Sequence, residues 1–422
     1  EIRFLKTTSS RTFLACHQLN QAFNDLFDDV VLLDDTYINN DDSIKTETIL
    51  KNRDLIHDFC KTQSIDFIDC HPFFCILPAT LAAQKSELPI SFTIHGSSSG
   101  NFIGEDRIKT KLLFYLVLRY GFDALFAVSE NLRDQYSFLS ANINVARNAL
   151  PSRAINTKQF SPTGRFVIAS RLDYPKTKII INFLKTIQHT SEVSSIDIIG
   201  DGDSRKKLTA FIAKNKLSKC HVIGWHDNLI SKISNEDYEA GFGLGRVALD
   251  IINSGKPTGI VGNNGFVGFL NKDNLESFAK TNFTSWGKKE TEPLSSSIKK
   301  LRENPKKYLF TQDELAFLDS ETNWQSYFQT IKNCVFNQKQ VISILNNILE
   351  NEPNITNIDK ITSELDKNFE NRYDIIYHSY KNLVANEQRD ITKLELELHS
   401  VKTELKKITS SKFWKTTKPI RD

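Results

Sequence analysis

The chain has 422 residues, is 40% hydrophobic and 25% charged, and carries a formal net charge of +3. That balance belongs to a globular chain of two or three domains; it excludes a disordered polyelectrolyte and gives no global reason to expect nucleic acid. No run approaches the roughly 18 apolar residues of a membrane span, and the first residues lack the basic-then-apolar layout of a signal peptide, so the expectation is a cytoplasmic protein.

Six irregularly spaced cysteines do not make a disulfide framework. Cys70 and Cys75 flank His71 in CHPFFC, but no second pair completes a zinc site, and both are expected to be buried thiols. Methionine is absent from a chain that begins at Glu1. Any methionine lost between motifs would shorten a spacing by one residue, and an intact mass of 48.2 kDa fixes the count.

Residues 1–35 read strand, helix, strand: RFL, then FLACHQLNQAFNDLF with one apolar face, then VVLL between acidic turns. A helix over TILKNRDLIHDFCKTQ, a strand in SIDFIDCH, a helix over PATLAAQKSE and a strand in PISFTIHG follow. Strands alternating with helices of this length predict βαβ units and a parallel sheet, whose ligands gather at the carboxyl ends of the strands. Those ends are Cys70-His71, His95-Gly96 and Ser129-Glu130. His95, followed by Gly96 and a run of serines, is either a ligand contact or a turn histidine satisfied by backbone. KTKLLFYLVLRYG, DALFAVS and ENLRDQYSFL continue as helix, strand, helix; VARNALP closes the first half and residues 151–164 read as a linker.

The second half repeats the grammar. RFVIASRLDYPKTK is a strand opening into a loop that carries Arg171, Lys176 and Lys178 around Pro175, cations suited to a phosphate or simply solvated. IINFLKTIQHT reads as the following helix. SIDIIGDGDSRKKLTAFIAKN reads strand, glycine turn, helix, and CHVIGWHDN strand and turn. Then comes GFGLGRVALDIINSGKP, a glycine-rich turn running into a helix that stops at Gly255, with Pro257 beyond it. Such a turn aims backbone N–H groups at an anion. Arg246 and Asp250 lie at i and i+4 on that helix, as an ion pair or as two separate ligand contacts. TGIVGNNGFVGFL reads as one apolar strand broken by glycines, followed by helices over ESFAKTN, SSSIKKLREN and ETNWQSYFQTIKN.

From Phe336 the style changes: glycine vanishes and only Pro353 interrupts long helical patterns until Pro419 near the end. Ile391, Leu394, Leu398, Val401, Leu405 and Ile408 make a short heptad seam, read as a coiled coil or as an ordinary amphipathic helix. The tail from His399 carries seven basic residues against two acidic, with Phe413 and Trp414 as apolar anchors. It suits loose attachment to an anionic membrane surface, or is a frayed basic end.

Six of these segments, in this order, resemble the GT-B glycosyltransferases of the retaining family-4 type, the glycosyl transferases group 1, as found in bacterial surface-polysaccharide assembly. They are PISFTIHG, LFAVSENLRDQY, VARNALP, FVIASRLDYPKTK, IDIIGDGDSRKKL and GRVALDIINSGKP. The resemblance implies an α/β chain of two Rossmann-like domains, an acceptor-side domain over residues 1–152 and a nucleotide-sugar-binding domain over 153–335, with a helical extension over 336–422. It implies His95, Arg171 and Lys176 as catalytic, His95 facing the transferred sugar and the two cations gripping the donor diphosphate. It further implies donor contacts at Gly96, Gly200, Gly202, Gly245, Arg246 and Asp250, the last on the ribose hydroxyls.

No cofactor and no metal are implied, since fixed cations and helix-end N–H groups can stabilise the departing diphosphate. The implied partners are a nucleotide-sugar donor and a glycan or lipid-linked glycan acceptor. The tail adds peripheral membrane contact at the inner face of the plasma membrane, and the coiled coil a second copy or a partner protein. No nucleic acid is implied.

The chain departs from the family twice. The first glutamate of the Glu-x7-Glu pattern falls on Phe242, with Asp250 in place of the second, and Ser9-Ser10 stands where the opening strand is usually followed by Gly-Gly. A GT-B nucleotide-sugar epimerase and a degenerate transferase serving as a coiled-coil scaffold are the alternative expectations.

Overall fold

The computed structural model describes residues 10–19, 25–34, 45–71, 75–96, 117–137, 140, 142–150, 160–263, 265–285 and 293–337. The chain divides into two compact units, Glu1–Asn346 and Asn347–Asp422. The expected coiled coil and basic tail lie outside the described residues, as do RFL at the start and most of the expected linker.

The first part of the chain carries strands β1 (Phe13–Cys16), β2 (Asp29–Leu32), β3 (Ile68–Cys70), β4 (Ile90–Ile94), β5 (Ala124–Ala127) and β6 (Ile143–Val145), with helices α1 (Thr46–Gln63), α2 (Ile76–Ser86) and α3 (Glu130–Gln135). β1 and β2 pair in parallel, and β3-β4-β5-β6 form an all-parallel sheet. β4 is buried at every position, which explains why ISFTI reads as a continuous apolar run. One expectation fails here. FLAC is β1 and not the start of a helix, because its backbone pairs in register with Asp29–Leu32.

The later part carries β7 (Arg165–Ala169), β8 (Ser195–Ile199), β9 (Cys220–Gly224), β10 (Ala240–Gly243), β11 (Thr258–Gly262) and β12 (Gly265–Phe269). They form one sheet in the order β12-β11-β10-β7-β8-β9. Its helices are α4 (Tyr174–Gln188), α5 (Arg205–Lys214), α6 (Leu229–Asn235), α7 (Arg246–Asn253), α8 (Leu275–Ala279), α9 (Leu294–Glu303) and α10 (Ser320–Lys332). The expected single strand over 258–269 is a hairpin. β12 runs antiparallel to β11, so the otherwise parallel sheet ends on a reversed edge strand. Gly265, at φ +105°, supplies the left-handed backbone this reversal uses.

Lys176 and Lys178, expected on a loop, lie on the first turns of α4. Asp173 caps that helix by accepting the Lys176 N–H at 3.0 Å, and Pro175 occupies its first turn. The core of this sheet is aromatic, with Phe166, Phe183, Phe242, Phe266 and Phe269 all buried in it. Glu239 is buried beneath, where Arg302 of α9 donates to both its oxygens at 2.8 and 2.9 Å and Gly164 adds its N–H at 2.7 Å.

α10, late in the chain, returns to the first sheet. Tyr327 is buried against Phe126 of β5, ring centroids 4.3 Å apart, with Trp324 beside it.

Candidate functional site

The stretch 241–257 is built differently from the glycine-rich turn its sequence suggests. GFG is strand β10, paired on both sides. A Cβ on Gly241 would stand 2.7 Å from Ile251 Cγ2, and one on Gly243 the same distance from Val247 Cγ1. These glycines therefore let α7 lie directly on the strand. Phe242, between them, points to the opposite face, buried in the aromatic core 4.6 Å from Phe183 by ring centroids. The position matching the family's first glutamate is thus a core position, and a carboxylate there would be buried among phenylalanine rings. The real turn is Leu244-Gly245. Gly245 takes φ +58° and donates its N–H to Phe283 O, so that α7 starts at Arg246 and stops at Gly255, φ +75°.

Arg246 and Asp250 do pair along α7, Nε to Oδ1 at 3.2 Å. Arg246 also donates from Nη1 to the carbonyl of Ala149 at 2.7 Å, tying the carboxyl end of β10 to the segment after β6. Nearby, Asn148 donates to Asn282 Oδ1 at 2.9 Å and Asn131 N–H to Lys280 O at 3.0 Å. The two sheets therefore meet at the mouth of β10. Burial raises the Asp250 carboxyl above its ordinary value while Arg246 opposes the shift, the setting of a carboxylate able to accept from a hydroxyl.

Next to it, past the end of β7, Arg171 is exposed and sits 3.3 Å from Asp173 Oδ2. Lys176 is half-buried. Burial lowers its ammonium, Asp173 pulls it back up, and Arg171 lowers it again. A partly desolvated cation beside a second cation is stabilised by an arriving anion.

The GDGD turn packs on this loop. A Cβ on Gly200 would fall 1.8 Å from Ser170 O, and one on Gly202 2.8 Å from Leu172 O. Both glycines sit near φ +150°. Leu172 N–H bonds Asp201 O at 2.9 Å and Ser204 N–H bonds Leu172 O at 2.8 Å. Gly200 and Gly202 thus fix where Arg171 and Asp173 stand.

His95 and Gly96 follow β4 in the other sheet. Among the described residues, no hydrogen bond joins His95 to any of the residues above. Its Nε2 lies 2.9 Å from Nδ1 of His71, whose Nε2 lies 3.1 Å from Asp69 Oδ2. Tyr327 OH donates to that oxygen at 2.6 Å, and Ser91 Oγ to the other at 2.5 Å. Burial alone would raise the Asp69 carboxyl, but His71, Ser91 and Tyr327 outweigh it and hold it well below the usual carboxylate range. His95 is exposed at one edge, but the protein around the rest of its ring, and then His71, push it down to about 4 against the pull of Asp69.

Sequence reading placed His71 at a strand end without giving it a role, and it missed Asp69 and Tyr327. Cys70 and Cys75 are buried, as expected, and burial raises both thiols. Among the described residues, no helix is long and apolar enough to cross a membrane, and no group of three or more His, Cys, Asp or Glu converges to hold a metal ion.

No family model and no curated protein matches the chain. Its fold is similar to crystal structures of HepE from Anabaena, solved with UDP (TM-score 0.56, 15% identity), with UDP and glucose (0.57, 14%) and with UDP-glucose (0.57, 14%). Each likeness covers 78% of this chain and 94% of that chain. The fold is GT-B: mixed α/β, with parallel sheets whose strand ends carry the candidate residues.

Proposed function

We propose that the chain is a retaining glycosyltransferase that takes a nucleotide sugar, with UDP as the carrier, and passes the sugar to a growing cell-surface glycan such as O-antigen or capsule. The observation that carries this reading is the half-buried Lys176 beside Arg171, at the same sheet end as the Arg246–Asp250 pair. Likeness to a protein solved with UDP and UDP-glucose supports the choice of carrier.

In this reading Asp250 accepts from the ribose hydroxyls and the glycines at 200, 202 and 245 shape the nucleotide's surroundings. Arg171 and Lys176 face the diphosphate. As the bond from the anomeric carbon to the diphosphate oxygen breaks, the electron pair leaves with the phosphate, and fixed cations stabilise the charge that develops there. The acceptor hydroxyl oxygen bonds the anomeric carbon on the face the diphosphate leaves and passes its proton to the departing phosphate oxygen, so configuration is retained. Cationic side chains supply the charge, and turnover is expected to survive EDTA.

A thermal-shift panel of UDP, GDP, CDP and dTDP tests the carrier. Saturating UDP at about 100 times its Kd adds about 2.7 kcal/mol to stability, and silence toward all four nucleotides favours a scaffold instead. Proton NMR of the anomeric product tests retention; inversion ends that part of the proposal. Loose membrane attachment through the basic tail is tested with anionic vesicles, where deletion of residues 410–422 is expected to abolish binding.

A further inference from the structure

Asp69, His71 and His95 are strung in series. They do not converge on a point, which suits a hydrogen-bond relay and not an ion. Three donors close on the Asp69 carboxylate, from Ser91, Tyr327 and His71. An ionised carboxylate only accepts, so the His71 nitrogen facing it, Nε2, must carry its proton. In neutral His71 the other nitrogen, Nδ1, is then a lone pair. It lies 2.9 Å from His95 Nε2, and that contact is a hydrogen bond only if His95 donates. One choice at Asp69 fixes both rings.

We propose that His71, held by Asp69 and Tyr327, is the positioning residue of His95: it locks that imidazole as the Nε2–H tautomer and leaves Nδ1 as a hydrogen-bond acceptor for a hydroxyl of the bound sugar. The second half of this statement rests on the donor reading above; the first half does not. The arrangement also explains why the last helix of the transferase part reaches back across the fold. The hydroxyl of Tyr327 satisfies the carboxylate that sets the relay, while its ring packs on Phe126 beneath.

The test is nitrogen-15 NMR of histidine-labelled full-length protein, with the pH raised until the His71 nitrogens show the neutral ring. The His95 resonances are identified by their loss in His95→Gln. The wild type is expected to show His95 protonated at Nε2 and bare at Nδ1. Asp69→Asn replaces an acceptor-only carboxylate with an amide that can turn either its N–H or its carbonyl to His71, so His95 is expected to lose its single Nε2–H form. Turnover of the nucleotide sugar should then fall about 10–100-fold, with UDP affinity unchanged. His71→Phe keeps the ring and removes the acceptor, and it should release His95 into a mixture of tautomers; this variant serves if Asp69→Asn does not fold. A wild-type His95 protonated at Nδ1, or averaged between both forms, overturns the proposal, as does an unchanged His95 signature in the folded variants. The spectrum decides the relay, and UDP binding to the wild type decides the donor reading.

Discussion

Lys176 and Arg171 differ in burial, and the difference separates their expected roles. Arg171 is exposed and free to swing onto a phosphate, while Lys176 is held half-buried on the first turn of a capped helix. Truncating either to Ala removes charge from the proposed leaving-group side without opening a cavity. Turnover is expected to drop about 10²–10³-fold for each, with an unchanged melting temperature; wild-type rates in both variants would remove them from the site.

His95 has a signature of its own. Its imidazole is pushed from 6.5 down to about 4, so the fold favours the neutral form and the unfolded chain takes up the proton first. Its contribution to stability is therefore complete above pH 6.5 and is lost as pH falls through about 4. The His95 ring-proton shift should be flat between pH 6 and 8, with a midpoint near 4.

At the scale of elements, what was legible follows from how local the cause is. α1 was readable because an apolar face and polar flanks lie within one stretch of sequence. β4 and β5 were readable as apolar runs. β10 was not: glycine argues against a strand, yet Gly241 and Gly243 are there because α7 rests on them. Phe242 looked like a missing catalytic glutamate because spacing cannot tell which face of a strand a residue takes.

Two substitutions separate local from tertiary causes here. Gly200→Ala sets a Cβ against the Ser170 carbonyl in a backbone shape that disfavours side chains. It is expected to cost about 1–3 kcal/mol in denaturant titration and to weaken UDP binding by moving the Arg171 loop. Arg302→Ala strands the buried Glu239 charge, far from any proposed ligand contact. It should cost on the order of 3 kcal/mol and leave Kd for UDP unchanged.

Over the whole molecule, the candidate site was half legible. Arg171 and Lys176 share one short stretch of sequence and Arg246 and Asp250 another, and the structure keeps both pairs on one sheet end. The histidine relay was illegible because Tyr327 and Asp69 stand 258 positions apart, and no pattern within a window joins them. The Arg246 bond to Ala149 was hidden for the same reason, 97 positions separating its ends.

The same long-range closure should be visible in refolding. A variant retaining Trp324 as its only tryptophan reports docking of α10 on the first sheet. Its fluorescence change should accompany the slowest phase, since non-local contacts form late.

The Tyr327 bond also has a meaning during synthesis. A nascent chain paused between residues 95 and 327 already holds Asp69, His71 and His95, but not the hydroxyl that completes their carboxylate. The first sheet waits, chemically unfinished, until α10 has left the ribosome. A fragment released early would carry the histidines without the group that completes their relay.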